Sequence, residues 1–82
     1  MKISEIMDTI MKEKQISKAQ LGRAVGIEDE KHPSDVINKR LKQKNISVNV
    51  LGEMLEVMGY TIIISPIGTK RQNGEYEVDH LA

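Results

Sequence analysis

Apolar residues fall at Ile3, Ile6, Met7, Ile10 and Met11, the i, i+3, i+4, i+7, i+8 stripe of an amphipathic helix. Lys2, Glu5, Asp8, Lys12 and Glu13 fall on the other side, so the spacing predicts a first helix from Ile3 of about a dozen residues. After Lys14 and Gln15, the segment Ile16 to Leu21 reads as a second helix start. Ser17 is the N-cap, Gln20 completes a capping box three residues on, and Ile16 and Leu21 form a hydrophobic staple. Gly26 stands where a left-handed C-terminal cap wants a glycine, which limits this helix to barely two turns.

Glu28 to Pro33 is polar and reads as a loop: the proline takes His32 out of helical conformation and suits the first position of a new helix. A third helix is expected from about Ser34 to Lys44, with Val36, Ile37 and Leu41 facing in. At about 100° per residue the opposite side carries Asp35, Lys39 and Lys42, flanked by Asn38 and Gln43. Ile46 to Leu51 repeats the staple-and-cap arrangement around Ser47. It starts a fourth helix in which Val48, Leu51, Met54, Leu55 and Met58 form a wide apolar face ending at Gly59.

The period then changes. Tyr60 to Ser65 is β-branched almost throughout and stops at Pro66, which predicts a strand. Such a strand needs a partner for its N–H and C=O row. Two remain open: the tail, where Asn73-Gly74 signals a type I′ hairpin turn, or a second copy pairing antiparallel across a two-fold axis through Thr61, Ile62, Ile63, Ile64 and Ser65. The expected organisation is a mainly α domain over 1–60, followed by a C-terminal strand or hairpin and tail over 61–82 that serves dimerisation.

Composition narrows the chemistry. With 82 residues the chain holds one small domain, and 29% charged against 39% hydrophobic residues makes it globular rather than disordered. Cysteine is absent, which removes disulfides and thiolate metal sites and leaves a cytoplasmic location as the expectation. Tyr60 and Tyr76 are the sole aromatics, too few for base-stacking platforms, so the core must be aliphatic and Met-rich; Met7, Met11, Met54 and Met58 are read as core filling. The longest apolar run, Ile62 to Ile64, is far short of a membrane span. His32 and His80 lack metal-ligand spacing, Ser17, Ser34 and Ser47 are caps, and no phosphate loop or nucleophile elbow occurs; neither metal, cofactor nor enzyme chemistry is expected.

The formal charge is zero, yet it is unevenly placed. Glu28 to Asp35 carries four acids against Lys31, whereas Val36 to Asn45 carries Lys39, Arg40, Lys42 and Lys44 with no acid. Two short helices joined by a Gly-containing turn, the second with a polar and basic face, form the helix-turn-helix pattern whose second helix enters the DNA major groove. If the third helix reads DNA, Asn38 suits adenine N6 and N7, Lys39 suits guanine O6 and N7, and Asp35 accepts from cytosine N4, with Ser34 in the same base-reading set. Ser17, Lys18, Lys42 and Lys44 suit phosphates. Arg40 lies towards the buried side and is expected to snorkel or pair.

The segment Ile16-Ser17-Lys18-Ala19-Gln20-Leu21-Gly22-Arg23-Ala24-Val25-Gly26-Ile27 carries a family resemblance: a Ser cap, an inward Leu, a small residue beside it where helices cross closely, then apolar-Gly-apolar. Together with Asn45-Ile46-Ser47-Val48 through Met58-Gly59, it makes residues 3 to 60 similar to the phage Cro and CI repressor type of helix-turn-helix domain, also called the XRE family. The resemblance implies a sequence-specific regulator of transcription, of phage or prophage repressor type, binding double-stranded DNA as a homodimer. Three departures stand out. Glu28 to Pro33 lengthen the turn, Lys18 occupies a place where many members carry a phosphate-touching Gln, and the chain continues beyond 60 into the strand and tail. Alternatives are an antitoxin that represses its own operon, its tail covering a toxin or other protein partner, and a protein-interaction module of phage or mobile-element origin that no longer binds DNA. The acidic turn motivates the last of these.

Overall fold

The computed structural model describes residues 1–27, 32–43 and 45–79. Among them the chain forms four helices, α1 (Ile3–Lys14), α2 (Lys18–Ala24), α3 (Pro33–Lys42) and α4 (Val48–Glu56), and no strand. Each helix begins where local chemistry supplies a start. The Glu5 carboxylate accepts from the Lys2 backbone N–H at 3.2 Å ahead of α1. Ser17 Oγ accepts from the Gln20 N–H at 3.1 Å while Gln20 Oε1 accepts from the Ser17 N–H at 2.8 Å, the reciprocal capping box expected for α2. Pro33 opens α3 at the position where its missing N–H costs nothing, and Ser47 Oγ accepts from the Val50 N–H at 3.1 Å to cap α4.

Helices α1 and α2 end by one device. At the end of α2, Gly26 takes φ 91° so that the Ile27 N–H reaches back to the Gly22 carbonyl at 2.9 Å, a Schellman closure. The same closure ends α1, with the Ile16 N–H bonded to the Met11 carbonyl at 2.9 Å, but there the left-handed residue is Gln15 at φ 55°.

The core is aliphatic and Met-rich, as composition demands. Ile6, Met7, Ile10 and Met11 of α1 meet Leu21 and Ile27 around α2, Ile37 of α3, and Met54, Leu55 and Met58 at the α4 end. All four methionines at helical spacing are therefore core residues. The apolar face of α4 narrows at its first turn, where Val48 is 69% exposed instead of facing in. The α3 boundary also moves by a residue or two, running 33–42 where 34–44 was expected; Lys44 and the acidic turn 28–31 lie outside the described residues.

Gly22 sets how closely α2 and α3 approach. A Cβ placed there would lie 2.8 Å from the Pro33 Cβ and 3.1 Å from its carbonyl oxygen, so only hydrogen fits between α2 and the start of α3.

Residues 61–65 carry no β-ladder and no backbone hydrogen bond to any described residue. The Asn73-Gly74 turn does form, with the Glu75 N–H bonded to the Gln72 carbonyl at 3.2 Å and Glu75 Oε1 accepting from the Gln72 N–H at 2.7 Å. It is not type I′, since Gly74 has φ 85° while Asn73 has no positive φ. The flanking arms consequently do not zip into a hairpin. The chain instead leaves the core at Tyr60 and returns at Tyr76, whose rings sit 6.3 Å apart, centroid to centroid, over α1. There the Tyr76 hydroxyl donates to Glu13 at 2.7 Å and the Tyr60 hydroxyl donates to the same carboxylate at 3.4 Å. Beyond Tyr76 the Asp79 N–H bonds the Met1 carbonyl at 2.9 Å, and the Met1 ammonium meets the Asp79 carboxylate at 2.6 Å.

Candidate nucleic-acid interface

The polar face of α3 follows from its 3.6-residue period. Ile37 is wholly buried, and the side opposite it presents Asp35, Asn38, Lys39, Lys42 and Gln43 along one shallow depression. Of the four residues expected to read bases, three therefore share a surface: Asp35, Asn38 and Lys39. Ser34 lies at the α3 start, half-buried and outside that depression. Lys42 lines it with them, and Gln43, placed on its flank by the helical spacing, belongs to it as well. Arg40 is half-buried, in keeping with its position towards the core side.

The face is cationic. Lys39 and Lys42 stand on it in the later turns of α3, with Arg40 beside them towards the core side, and Asp35 stands in the first turn. Among the described residues the only ion pair joins Met1 and Asp79, so neither Asp35 nor these three cations is neutralised by a described partner.

The phosphate set is joined to this face through one side chain. Ser17 and Lys18 line a second depression with Asp8, Met11, Lys12, Gln15 and Ile16, between α1 and the start of α2. From there the half-buried Lys18 Nζ donates to Asn38 Oδ1 of α3 at 2.5 Å. Lys18 thereby links the α1–α2 groove to the α3 face, twenty residues away in sequence. Periodicity on either helix alone does not foretell this bond, because it depends on the α2–α3 crossing that Gly22 permits.

Thr61 to Ser65 line neither depression. Ile62, Ile63 and Ile64 are 41%, 66% and 97% exposed and Ile67 is 94% exposed, an apolar arm without cover in the single chain. The clasp of Glu13, Tyr60 and Tyr76 that holds the two ends of this arm is the feature sequence reasoning missed. Its one available signal was that both aromatics of the chain bracket the 61–75 segment. The clasp holds the Tyr76 hydroxyl pKa up to about 12, chiefly through the hydrogen bond to Glu13, with desolvation and the Glu13 charge adding to it. Tyr60 is raised too, by desolvation first and then by the same carboxylate.

The described residues contain no cluster of His, Asp and Glu able to hold a metal ion, and no described helix is long and apolar enough to cross a membrane. No protein-family model, curated protein or solved structure matches the chain.

Proposed function

We propose that the chain is a sequence-specific double-stranded DNA-binding regulator of the phage-repressor helix-turn-helix type, with α2 lying across the backbone and α3 entering the major groove. The observation that carries this reading is the α3 face, where Asp35, Asn38, Lys39 and Lys42 share one exposed surface with no described ion pair. A purely solvated helix face tolerates cations paired with carboxylates; a groove-reading face needs them free for phosphates and base edges. On this reading Ser34, Asp35, Asn38 and Lys39 contact bases, and Ser17, Lys18, Lys42 and Lys44 contact phosphates. The ammonium of Lys18 keeps two donors after its bond to Asn38, enough for a phosphate oxygen.

The regulator acts as a homodimer in which 61–65 of each chain pair antiparallel across a two-fold axis. Unladdered backbone and three exposed isoleucines in this segment support that assembly. Two α3 helices then reach half-sites about one helical turn apart.

Fluorescence anisotropy with labelled duplexes tests the proposal. Binding should weaken steeply as salt rises, and Lys42→Ala should weaken it on every sequence and lower the salt slope by about one. Lys39→Ala should instead narrow the gap between preferred and mixed-sequence duplexes. The same arm favours a second reading, a protein-interaction module docking through Ile62 to Ile67. Absence of duplex binding at low salt decides for it.

A further inference from the structure

Lys18 and Asn38 differ in what they can offer. An asparagine amide carries an acceptor oxygen and a donor nitrogen, and its two orientations are nearly equal in shape. An ammonium donates and never accepts. The Lys18 Nζ bond therefore admits one orientation of Asn38, with Oδ1 turned to α2 and Nδ2 turned the other way. Among the described residues Nδ2 donates to no protein group, and no described side-chain polar atom is buried without a partner. Asn38 lines the depression it shares with Asp35, Lys39 and Lys42, and its Nδ2 has no described acceptor there.

We infer that Lys18 is a positioning residue that makes Asn38 a hydrogen-bond donor to the groove, so that Asn38 selects guanine over adenine. This rests on the DNA-reading proposal above and replaces its simplest assignment, the two-way pairing of an asparagine with adenine. That pairing needs Oδ1 to accept from adenine N6 while Nδ2 donates to N7. Here Oδ1 is engaged by a cation, which withdraws electron density from the oxygen and strengthens the N–H donors. Guanine presents N7 and O6, acceptors only, on its major-groove edge, whereas adenine presents one acceptor and one donor. A donor group beside the donor-only Lys39 matches the guanine edge.

The experiment is selection of duplexes from a random-sequence library by the full chain and by three variants, Asn38→Ala, Lys18→Arg and Lys18→Gln. The base position that loses its preference in Asn38→Ala identifies the base under Asn38. The wild type should hold guanine there by about tenfold over adenine. Lys18→Arg, still donor-only, should keep that preference. Lys18→Gln, an amide that both donates and accepts, releases the Asn38 orientation, and the preference should fall to about threefold or less or turn to adenine. A purely structural role for Lys18 would weaken all duplexes without changing the base at that position. Adenine in the wild type, an unchanged guanine preference in Lys18→Gln, or no position that responds to Asn38→Ala overturns the inference while leaving DNA reading intact. A wild type that enriches no duplex overturns both.

Discussion

The Lys18 ammonium of α2 and the Asn38 amide of α3 are joined by a 2.5 Å hydrogen bond in a half-buried setting, and this is the one described side-chain bond between those two helices. A charge-assisted bond of this kind is worth more than a neutral one, but partial exposure trims it to about 1 kcal/mol. A double-mutant cycle with Lys18→Met and Asn38→Ala, read by urea denaturation, should therefore give a coupling near that value. Strict additivity of the two substitutions would mean that the bond contributes nothing in solution.

The two glycines inside helices should respond oppositely to alanine. At Gly22 the added methyl meets Pro33 at 2.8 Å, so Gly22→Ala should cost about 1–3 kcal/mol by forcing α2 and α3 apart. At Gly52 of α4 nothing lies within 4 Å of the added carbon, so Gly52→Ala should stabilise by up to about 1 kcal/mol through helix propensity alone. Denaturation midpoints of the two variants check both signs, and Gly22→Ala should also weaken duplex binding, because it displaces the Lys18–Asn38 bond.

Alkaline pH should release the arm. Tyr76 ionises at about 12 when its hydroxyl is bonded to Glu13 and near 10 when the chain is unfolded. A group whose folded pKa is raised contributes stability that is fully present below pH 10 and disappears as pH climbs from 10 through about 12. Since the chain has two tyrosines and no tryptophan, absorbance at the tyrosinate band reports this ionisation directly. Glu13→Ala should bring both tyrosines back towards their ordinary range, and Tyr76→Phe should remove its share of the alkaline loss. Identical titration curves for wild type and Glu13→Ala would contradict the clasp.

The proposed assembly is tested by charge on the arm. Ile64 is 97% exposed in the single chain, so Ile64→Lys should leave the stability of the monomer nearly unchanged. Paired antiparallel over 61–65 across a two-fold axis, the lysine would face Ile62 of the second copy, with its own counterpart on the near diagonal, and push the dimer apart. Sedimentation equilibrium should show a concentration-dependent dimer for wild type and a monomer for Ile64→Lys. A wild type that stays monomeric at high micromolar concentration would remove the arm from the interface.

The helices were legible because their signals are local. Ser17, Gln20, Gly26 and Ser47 act within one turn of their own backbone, and the Ile3 to Met11 stripe needs only a helical period to name its buried face. The α3 surface was legible for the same reason: Asp35, Asn38, Lys39 and Lys42 share a side once Ile37 is placed inside. What could not be read is what depends on distant residues. The Lys18–Asn38 bond requires the crossing at Gly22, and the tyrosine clasp requires the chain to turn back on α1 through 61–75. Composition spoke of strand propensity in Thr61 to Ser65, but propensity does not supply a partner, and no described residue provides one. The Asn73-Gly74 pair shows the same limit at smaller scale: it makes a turn, yet the backbone around it selects a different turn type.

The most direct test of DNA reading by α3 is selection of wild-type-bound duplexes from a random library, taken with the mass of the complex. The expected result is a near-palindromic site whose halves lie about one helical turn apart, bound by two chains and released by moderate salt. Failure to enrich any duplex at low salt would contradict it.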